Sequence, residues 1–254
     1  MLALITGATS GLGKALCHLL AEQKIPLIIS GRNSLELESL KKNLPVDVTC
    51  QTADLTNKSE RQTLINLIHT MQPDLIINNA GFGLYGDALT HTTEKQLEIL
   101  EVNGSAVLEI SLEAARTLQE AQKPGIILNV SSAAAFFASP SFAVYSAAKA
   151  FVNQFSQALD KELKPHGIRI LTACPGQIDT NFRNRAASGH PQQQDSYTMT
   201  VEKAAHEILW QIQHKKPVHI FDARYRIMTF IARYFLPSSF ATQLIQKSIL
   251  KRIT

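Results

Sequence analysis

Seven short apolar runs punctuate the chain, at residues 2–5, 26–30, 46–51, 75–78, 125–130, 168–173 and 218–221. Their length suits strands buried on both faces rather than helices. Between them the apolar positions change to helical spacing. Leu12, Leu16, Leu19 and Leu20 share one helix face, and Val152, Phe155, Leu159 and Leu163 share another. Strands alternating with helices make βαβ units, whose right-handed crossovers build a parallel sheet covered on both sides. The pattern predicts an α/β chain: one doubly wound domain of the Rossmann type over residues 1–221, with about seven parallel strands and helices on both faces. Ligands of such sheets bind beyond the carboxyl ends of the strands.

Two stretches break the alternation. Residues 177–200 hold Gly189, Pro191 and three consecutive glutamines with little periodicity, and read as a substrate lid loop. Residues 125–148 carry no charge, as a membrane span would. Asn129, Ser131, Ser132, Ser139, Pro140, Ser141 and Ser146 interrupt that run, so a strand, a loop and a helix start are expected instead.

With 45% apolar residues among 254, the chain can bury a sizeable core. Cys17, Cys50 and Cys174 are few, odd in number and far apart, which suits free buried thiols in a reducing compartment. The N-terminus shows neither a basic flank nor a long apolar run, so no secretory signal and a cytoplasmic location are expected. The net charge of +4 is uneven: six basic residues and no acid lie from Arg224 onward, which leaves the rest at −2. That distribution argues against a nucleic-acid partner. In the tail, residues 222–254, Arg and Lys alternate with Tyr225, Ile227, Met228, Phe230, Ile231, Tyr234, Phe235, Leu236 and Phe240. Two readings stay open for this helical tail: a substrate lid or dimer contact, and a peripheral helix on an anionic membrane surface. None of the eight histidines pairs at a metal-ligand spacing, and no metal is expected.

The chemistry-bearing residues sit after the strands. Thr6-Gly7-Ala8-Thr9-Ser10-Gly11-Leu12-Gly13 follows the first strand and opens the first helix. Glycines let the backbone approach a diphosphate, and the helix N-terminus offers free N–H groups. After the second strand comes Gly31-Arg32-Asn33, where NAD-binding sites usually place a carboxylate for the ribose hydroxyls. A guanidinium without a carboxylate suits a 2′-phosphate, and so NADP(H). Tyr145-Ser146-Ala147-Ala148-Lys149 puts a phenol and an ammonium side by side on one helix face. A lysine charge draws the tyrosine pKa down from about 10, towards values useful for proton transfer. Ser132 lies thirteen residues before Tyr145, Asn78-Asn79-Ala80-Gly81 closes the fourth strand, and Asn103-Gly104 interrupts a helical pattern over 94–119. An Asn-Gly pair inside a helix costs on the order of 1 kcal/mol, so a kink or a function is expected there.

With Asp54-Leu55 and Pro175-Gly176-Gln177-Ile178-Asp179-Thr180, these motifs stand in the order of the short-chain dehydrogenase/reductase family, which the chain resembles over residues 2–221. The resemblance implies a general acid/base role for Tyr145 and a nicotinamide-ribose and pKa-lowering role for Lys149. It implies that Ser132 binds the substrate oxygen and that Asn103 fixes a water linking Lys149 to solvent. The glycine turn (Gly7, Thr9, Ser10, Gly11, Leu12, Gly13), Arg32, Asp54, Leu55, Asn79, Ala80 and Gly81 would hold the adenosine and diphosphate side. Pro175, Gly176, Ile178 and Thr180 would hold the nicotinamide end. Many members end in a glycine-rich strand that packs a tetramer; here a basic tail follows 218–221, so a homodimer is expected instead. Phe82, Leu84, Tyr85, Phe136, Phe137, Phe142 and Phe182 flank the expected pocket, with Phe137 and Phe182 placed on the substrate. An apolar ketone or acyl carbonyl, or the matching alcohol, suits that lining. The alternatives are an epimerase or dehydratase, and a non-catalytic NADP-sensing regulator. The first usually needs a larger C-terminal domain, and the second would lack one of Ser132, Tyr145 or Lys149.

Overall fold

Each of the seven apolar runs is a strand of one sheet in the computed structural model, which describes residues 1–187, 198–235, 242–246 and 249. The first half runs β1 (Ala3–Thr6), α1 (Gly11–Glu22), β2 (Leu27–Gly31), α2 (Ser34–Lys42), β3 (Val48–Thr52), α3 (Lys58–Met71) and β4 (Leu75–Asn78). The second runs α4 (Thr93–Leu100), α5 (Ala106–Glu120), β5 (Gly125–Val130), α6 (Ala143–Leu163), β6 (Ile168–Cys174), α7 (Phe182–Ala186), α8 (Val201–Gln213), β7 (Val218–Ile220) and α9 (Ala223–Tyr234). The strand order is β3-β2-β1-β4-β5-β6-β7 and every pairing is parallel. This is a Rossmann-type sheet. Its order reverses between β1 and β4, and the crevice that opens there is where such sheets take ligands.

Alternate residues of each strand enter opposite layers of the core. Ile5, Ile29 and Ile77 pack under α1 and α8 with Leu16, Leu20 and Ile208. Leu4, Ile28, Ile76 and Ile127 face α3, α5 and α6 with Leu64, Ile110 and Leu159. Burial on both faces explains why the strands read as continuous apolar runs. On the two helix faces expected from spacing, Leu12, Leu16, Leu20, Val152 and Leu159 are buried, while Leu19, Phe155 and Leu163 are half-buried at the edge. The uncharged 125–148 stretch divides into β5, a short 3-10 turn at Ala133–Phe136 and the start of α6. No helix among the described residues is long and apolar enough to cross a membrane.

Several boundaries differ from expectation. Val46 and Asp47 precede β3 rather than belonging to it, and β7 stops at Ile220 because Asp222 already caps α9, accepting from Arg224 N. Residues 177–200 are less irregular than their composition implies: residues 182–186 form α7, and Ile178 bridges to Met199. The part of the expected lid at 188–197 lies outside the described residues. Cys17 and Cys174 are buried free thiols, whereas Cys50 on β3 is half-buried. The interruption at Asn103-Gly104 is a π-helical turn, Glu101–Ser105, joining α4 directly to α5.

Candidate active site

The turn after β1 is built around positive backbone angles, with φ of +65° at Gly7 and +49° at Gly11. A Cβ at Gly7 would come within 2.9 Å of the Ala80 backbone, and one at Gly13 would strike the Gly7 carbonyl. The segment after β4 fastens this turn. Thr6 Oγ1 accepts from the N–H groups of Asn79 (3.1 Å) and Ala80 (3.0 Å), and Asn79 Nδ2 donates to the Thr6 carbonyl at 2.9 Å. The N-terminus of α1 points into the crevice with no acid in its first turn and no side-chain cap from Ser10. Uncompensated N–H groups beside side-chain-free backbone fit the diphosphate of a dinucleotide.

Beyond β5 lies the second half of the site. Ser132 caps the 3-10 turn, its Oγ accepting from Ala134 N at 3.1 Å. Tyr145 and Lys149 lie on α6, both buried, with Lys149 Nζ 5.8 Å from the Tyr145 ring centre. Lys149 Nζ donates to the Val130 carbonyl at 2.8 Å, which fixes the ammonium at the end of β5. Burial pushes the Tyr145 phenol up, and its hydrogen bond with Ser132 partly offsets that. Burial also brings the Lys149 ammonium down to about 8, so it is still mostly charged at neutral pH. Asn103 sits behind this pair in the π turn. Its Nδ2 donates to the carbonyls of Phe82 (2.7 Å) and Ile99 (3.0 Å). The buried Oδ1 has no partner and faces the bare side of Gly81, where a Cβ would lie 3.4 Å from Lys149 Nζ.

A cavity of about 700 Å³ joins the two halves. It gathers Gly7, Ser10, Gly11 and Leu12 with Asn79, Ala80 and Gly81 at one end, and Pro175, Gly176, Ile178 and Thr180 alongside. Ser132, Phe137, Tyr145, Lys149 and Phe182 complete it. The Tyr145 ring stacks on Phe142 at 4.3 Å between centres and lies 5.5 Å from Phe182. Tyr85, Phe137, Phe142 and Phe182 line the space, whereas Phe82, Leu84 and Phe136 do not.

Six of the expected site residues stand outside this lining: Thr9, Gly13, Arg32, Asp54, Leu55 and Asn103. Arg32 is exposed just past β2, and Thr9 packs against Gly31. Asp54 Oδ1 accepts from Thr56 N (2.9 Å) and Thr56 Oγ1 (2.8 Å). Leu55 is buried in the core, and its carbonyl accepts from Arg61 Nη1 at 2.7 Å. Two helices add residues that the expected site did not name, although both lie in segments for which a substrate lid was among the readings. Tyr225 and Met228 of α9 line the cavity, and a Cβ on Gly176 would strike the Tyr225 ring. That contact places the start of α9 against the Gly176 end of the cavity. Arg183 of α7 also lines it; the available signal was an arginine between Phe182 and Ala186-Ala187 at helical spacing.

Lys149 gives a testable pH dependence. Above about pH 8 it is neutral in the folded chain, while the unfolded chain keeps the proton up to its ordinary value of 10.5. The folded state therefore gains stability as pH rises through that window. Cys17 and Cys174, pushed by burial from 9.0 to about 12, act oppositely above pH 9. Unfolding free energy should thus climb between about pH 8 and pH 9, and Lys149→Met should flatten the climb. Denaturant titrations across that interval decide it; equal slopes in both proteins would show that Lys149 is not the source.

This architecture has relatives. The short chain dehydrogenase family matches residues 1–190. An uncharacterized oxidoreductase of Staphylococcus aureus (strain USA300) is 30% identical over 227 residues, covering 88% of this chain and 96% of that one. A short-chain dehydrogenase from Sphingobium yanoikuyae, in complex with NADPH, superimposes with a TM-score of 0.82 at 24% identity, covering 99% of this chain and 96% of that one. A 4-hydroxyisoleucine dehydrogenase complexed with NADH has a TM-score of 0.75 at 23% identity, covering 87% and 97%. At those identities the two structures share the fold, and they differ in the cofactor they carry. The chain belongs to the short-chain dehydrogenase family, and is an oxidoreductase of that family using a nicotinamide cofactor.

Proposed function

We propose that the protein interconverts an apolar ketone, or another apolar carbonyl, and its alcohol with NADP(H), using Tyr145 as the general acid and base. One observation carries this reading: Ser132, Tyr145 and Lys149 meet in an apolar cavity that continues into the glycine turn. A nicotinamide held at the Pro175–Thr180 end would supply the hydride in reduction and accept it in oxidation. Ser132 and the Tyr145 hydroxyl both reach the carbonyl oxygen, and Tyr145 delivers the proton as negative charge develops there. Lys149 Nζ lies 5.8 Å from the Tyr145 ring centre, and a positive charge there favours the phenolate left behind. Asn103, through its unpartnered Oδ1, offers an acceptor to a water behind Lys149, which would let the proton be replaced. Tyr85, Phe142 and Phe182 keep bulk water from the reacting centre, which strengthens these interactions. Over them, α9 closes the tail side of the cavity, which favours the lid reading of the tail. The test is NADPH oxidation by the purified protein against a panel of apolar ketones and acyl thioesters, with secondary alcohols and NADP for the reverse direction. Cofactor-dependent turnover of at least one carbonyl is the expected result. Tight NADPH binding with no turnover across the panel would favour the regulatory alternative.

A further inference from the structure

The substrate half of the cavity holds a cation that the proposed chemistry does not use. Arg183 lines the cavity, yet its side chain is buried, with 9% of the residue exposed. Its Nε is sealed from solvent and has no hydrogen-bond partner. Among the described residues no carboxylate pairs with it, whereas Arg61 has two and Arg169 and Arg224 have one each. A guanidinium keeps its charge at any working pH, so burial without a partner is unfavourable unless something completes it.

The surroundings of Arg183 indicate where that something sits. Ala186 and Ala187, one turn further along and on the same face of α7, pack in the apolar cluster around Tyr85, Phe142 and Tyr145. The Ala186 carbonyl accepts from Tyr85 N at 2.8 Å. Phe182, next to Arg183 in the chain, packs on Tyr145 itself. The glycine turn expected to take the cofactor's diphosphate is a separate part of the lining, where Thr180 Cγ2 lies 2.9 Å from where a Gly11 Cβ would be.

We propose that the substrate is an apolar oxo acid, or its hydroxy acid, whose carboxylate is taken by Arg183 while its carbonyl reaches Ser132 and Tyr145. The fork of a guanidinium matches a carboxylate bidentately, and the aromatic wall between the two ends takes the hydrocarbon. In reduction the carbonyl carbon gains the hydride from NADPH and its oxygen gains the Tyr145 proton. The carboxylate is unchanged, and the products are the hydroxy acid and NADP. This assignment rests on the carbonyl-reducing reading above, and the cofactor's own diphosphate is the competing anion for Arg183.

Binding separates these possibilities without relying on turnover. Hexanoate, octanoate and decanoate, and their methyl esters, are titrated by calorimetry into the full-length protein saturated with NADP. At least one acid should bind ten- to a hundredfold more tightly than its ester. Arg183→Met should erase that ratio, and Arg183→Lys should retain part of it. Because Arg183→Met removes an unpaired buried charge, its Tm should equal or exceed that of the wild type. Acids that bind no better than their esters would overturn the proposal. So would a loss of NADPH affinity in Arg183→Met as large as the loss of acid affinity, which would assign Arg183 to the cofactor. An acid preference that disappears in Arg183→Met, with no oxo acid reduced, would keep the carboxylate site and sink the carbonyl-reductase reading.

Discussion

Tyr145→Phe is expected to leave the fold and cofactor affinity intact while lowering turnover at least ~10²-fold, the usual scale of general acid catalysis. The ring is held by its stack on Phe142 and its contact with Phe182, and phenylalanine keeps both. What disappears is the hydroxyl, with its hydrogen bond to Ser132 and the proton that the proposed mechanism draws from it. The loss should therefore fall on kcat, with little change in KM for an apolar substrate. Steady-state kinetics on the best carbonyl of the panel, alongside fluorescence titration with NADPH, make the comparison. Near wild-type turnover in the phenylalanine variant would take the proton-donor role away from Tyr145.

A second large effect is expected from exchanging the end of β2. We expect tighter binding of NADPH than of NADH, and Gly31→Asp with Arg32→Ile should reverse the order. Arg32 is exposed immediately after β2, where the adenosine ribose of a Rossmann domain lies. Its neighbour offers no carboxylate: Asn33 Oδ1 accepts from the N–H groups of Leu35 (3.0 Å) and Glu36 (3.2 Å), capping α2. A charge-assisted hydrogen bond to a 2′-phosphate is worth roughly 1.5–3 kcal/mol, or about a ten- to hundredfold preference. Exposure and salt place the result nearer the lower figure at physiological ionic strength. The new aspartate must be accommodated, because a Cβ at Gly31 lies 3.2 Å from Thr9 Cγ2 and 3.4 Å from Thr9 Oγ1. A small shift of Thr9 admits it and leaves a hydroxyl for the carboxylate. Titration of both cofactors against both proteins settles the matter. Tighter NADH binding by the wild type would end the NADP assignment, and an unchanged ratio in the double variant would exonerate Arg32.

The sheet was legible because its strands are buried on both faces, so each appears as an unbroken apolar run between helical segments. Strand ends were less legible: Val46 and Asp47 adjoin β3 and Phe221 adjoins β7 in the chain, yet all three lie outside the paired residues. Glycines, Tyr145, Lys149 and Ser132 announced themselves by residue type and spacing at strand ends. Their roles were expectations, and the structure adds that sixteen of these site residues border a single cavity while Thr9, Gly13, Arg32, Asp54, Leu55 and Asn103 stand outside it. Arg183 and Tyr225 were harder to see. Each enters the site from a helix contributed late in the chain, and only three-dimensional proximity brings them to Tyr145. The short helix α7 was hidden for a related reason: five residues carry too little periodicity to stand out within a polar, glutamine-rich segment.

The π turn at Glu101–Ser105 has a consequence for how this chain trades robustness against use. In a regular helix the Glu101 carbonyl would receive the N–H of Ser105; across this turn it receives that of Ala106, while the Asn103 side chain donates to the Ile99 carbonyl. One residue more than an α-helical turn needs is thus accommodated between α4 and α5, and it carries Asn103 inward to Phe82 and the neighbourhood of Lys149. Removing that residue would restore an unbroken helix of better intrinsic stability and rotate the amide away from both. The most stable version of this helix is therefore not the serviceable one. Stabilising substitutions in this protein belong on the outer faces of α4 and α5, and the widened turn should be left as it is.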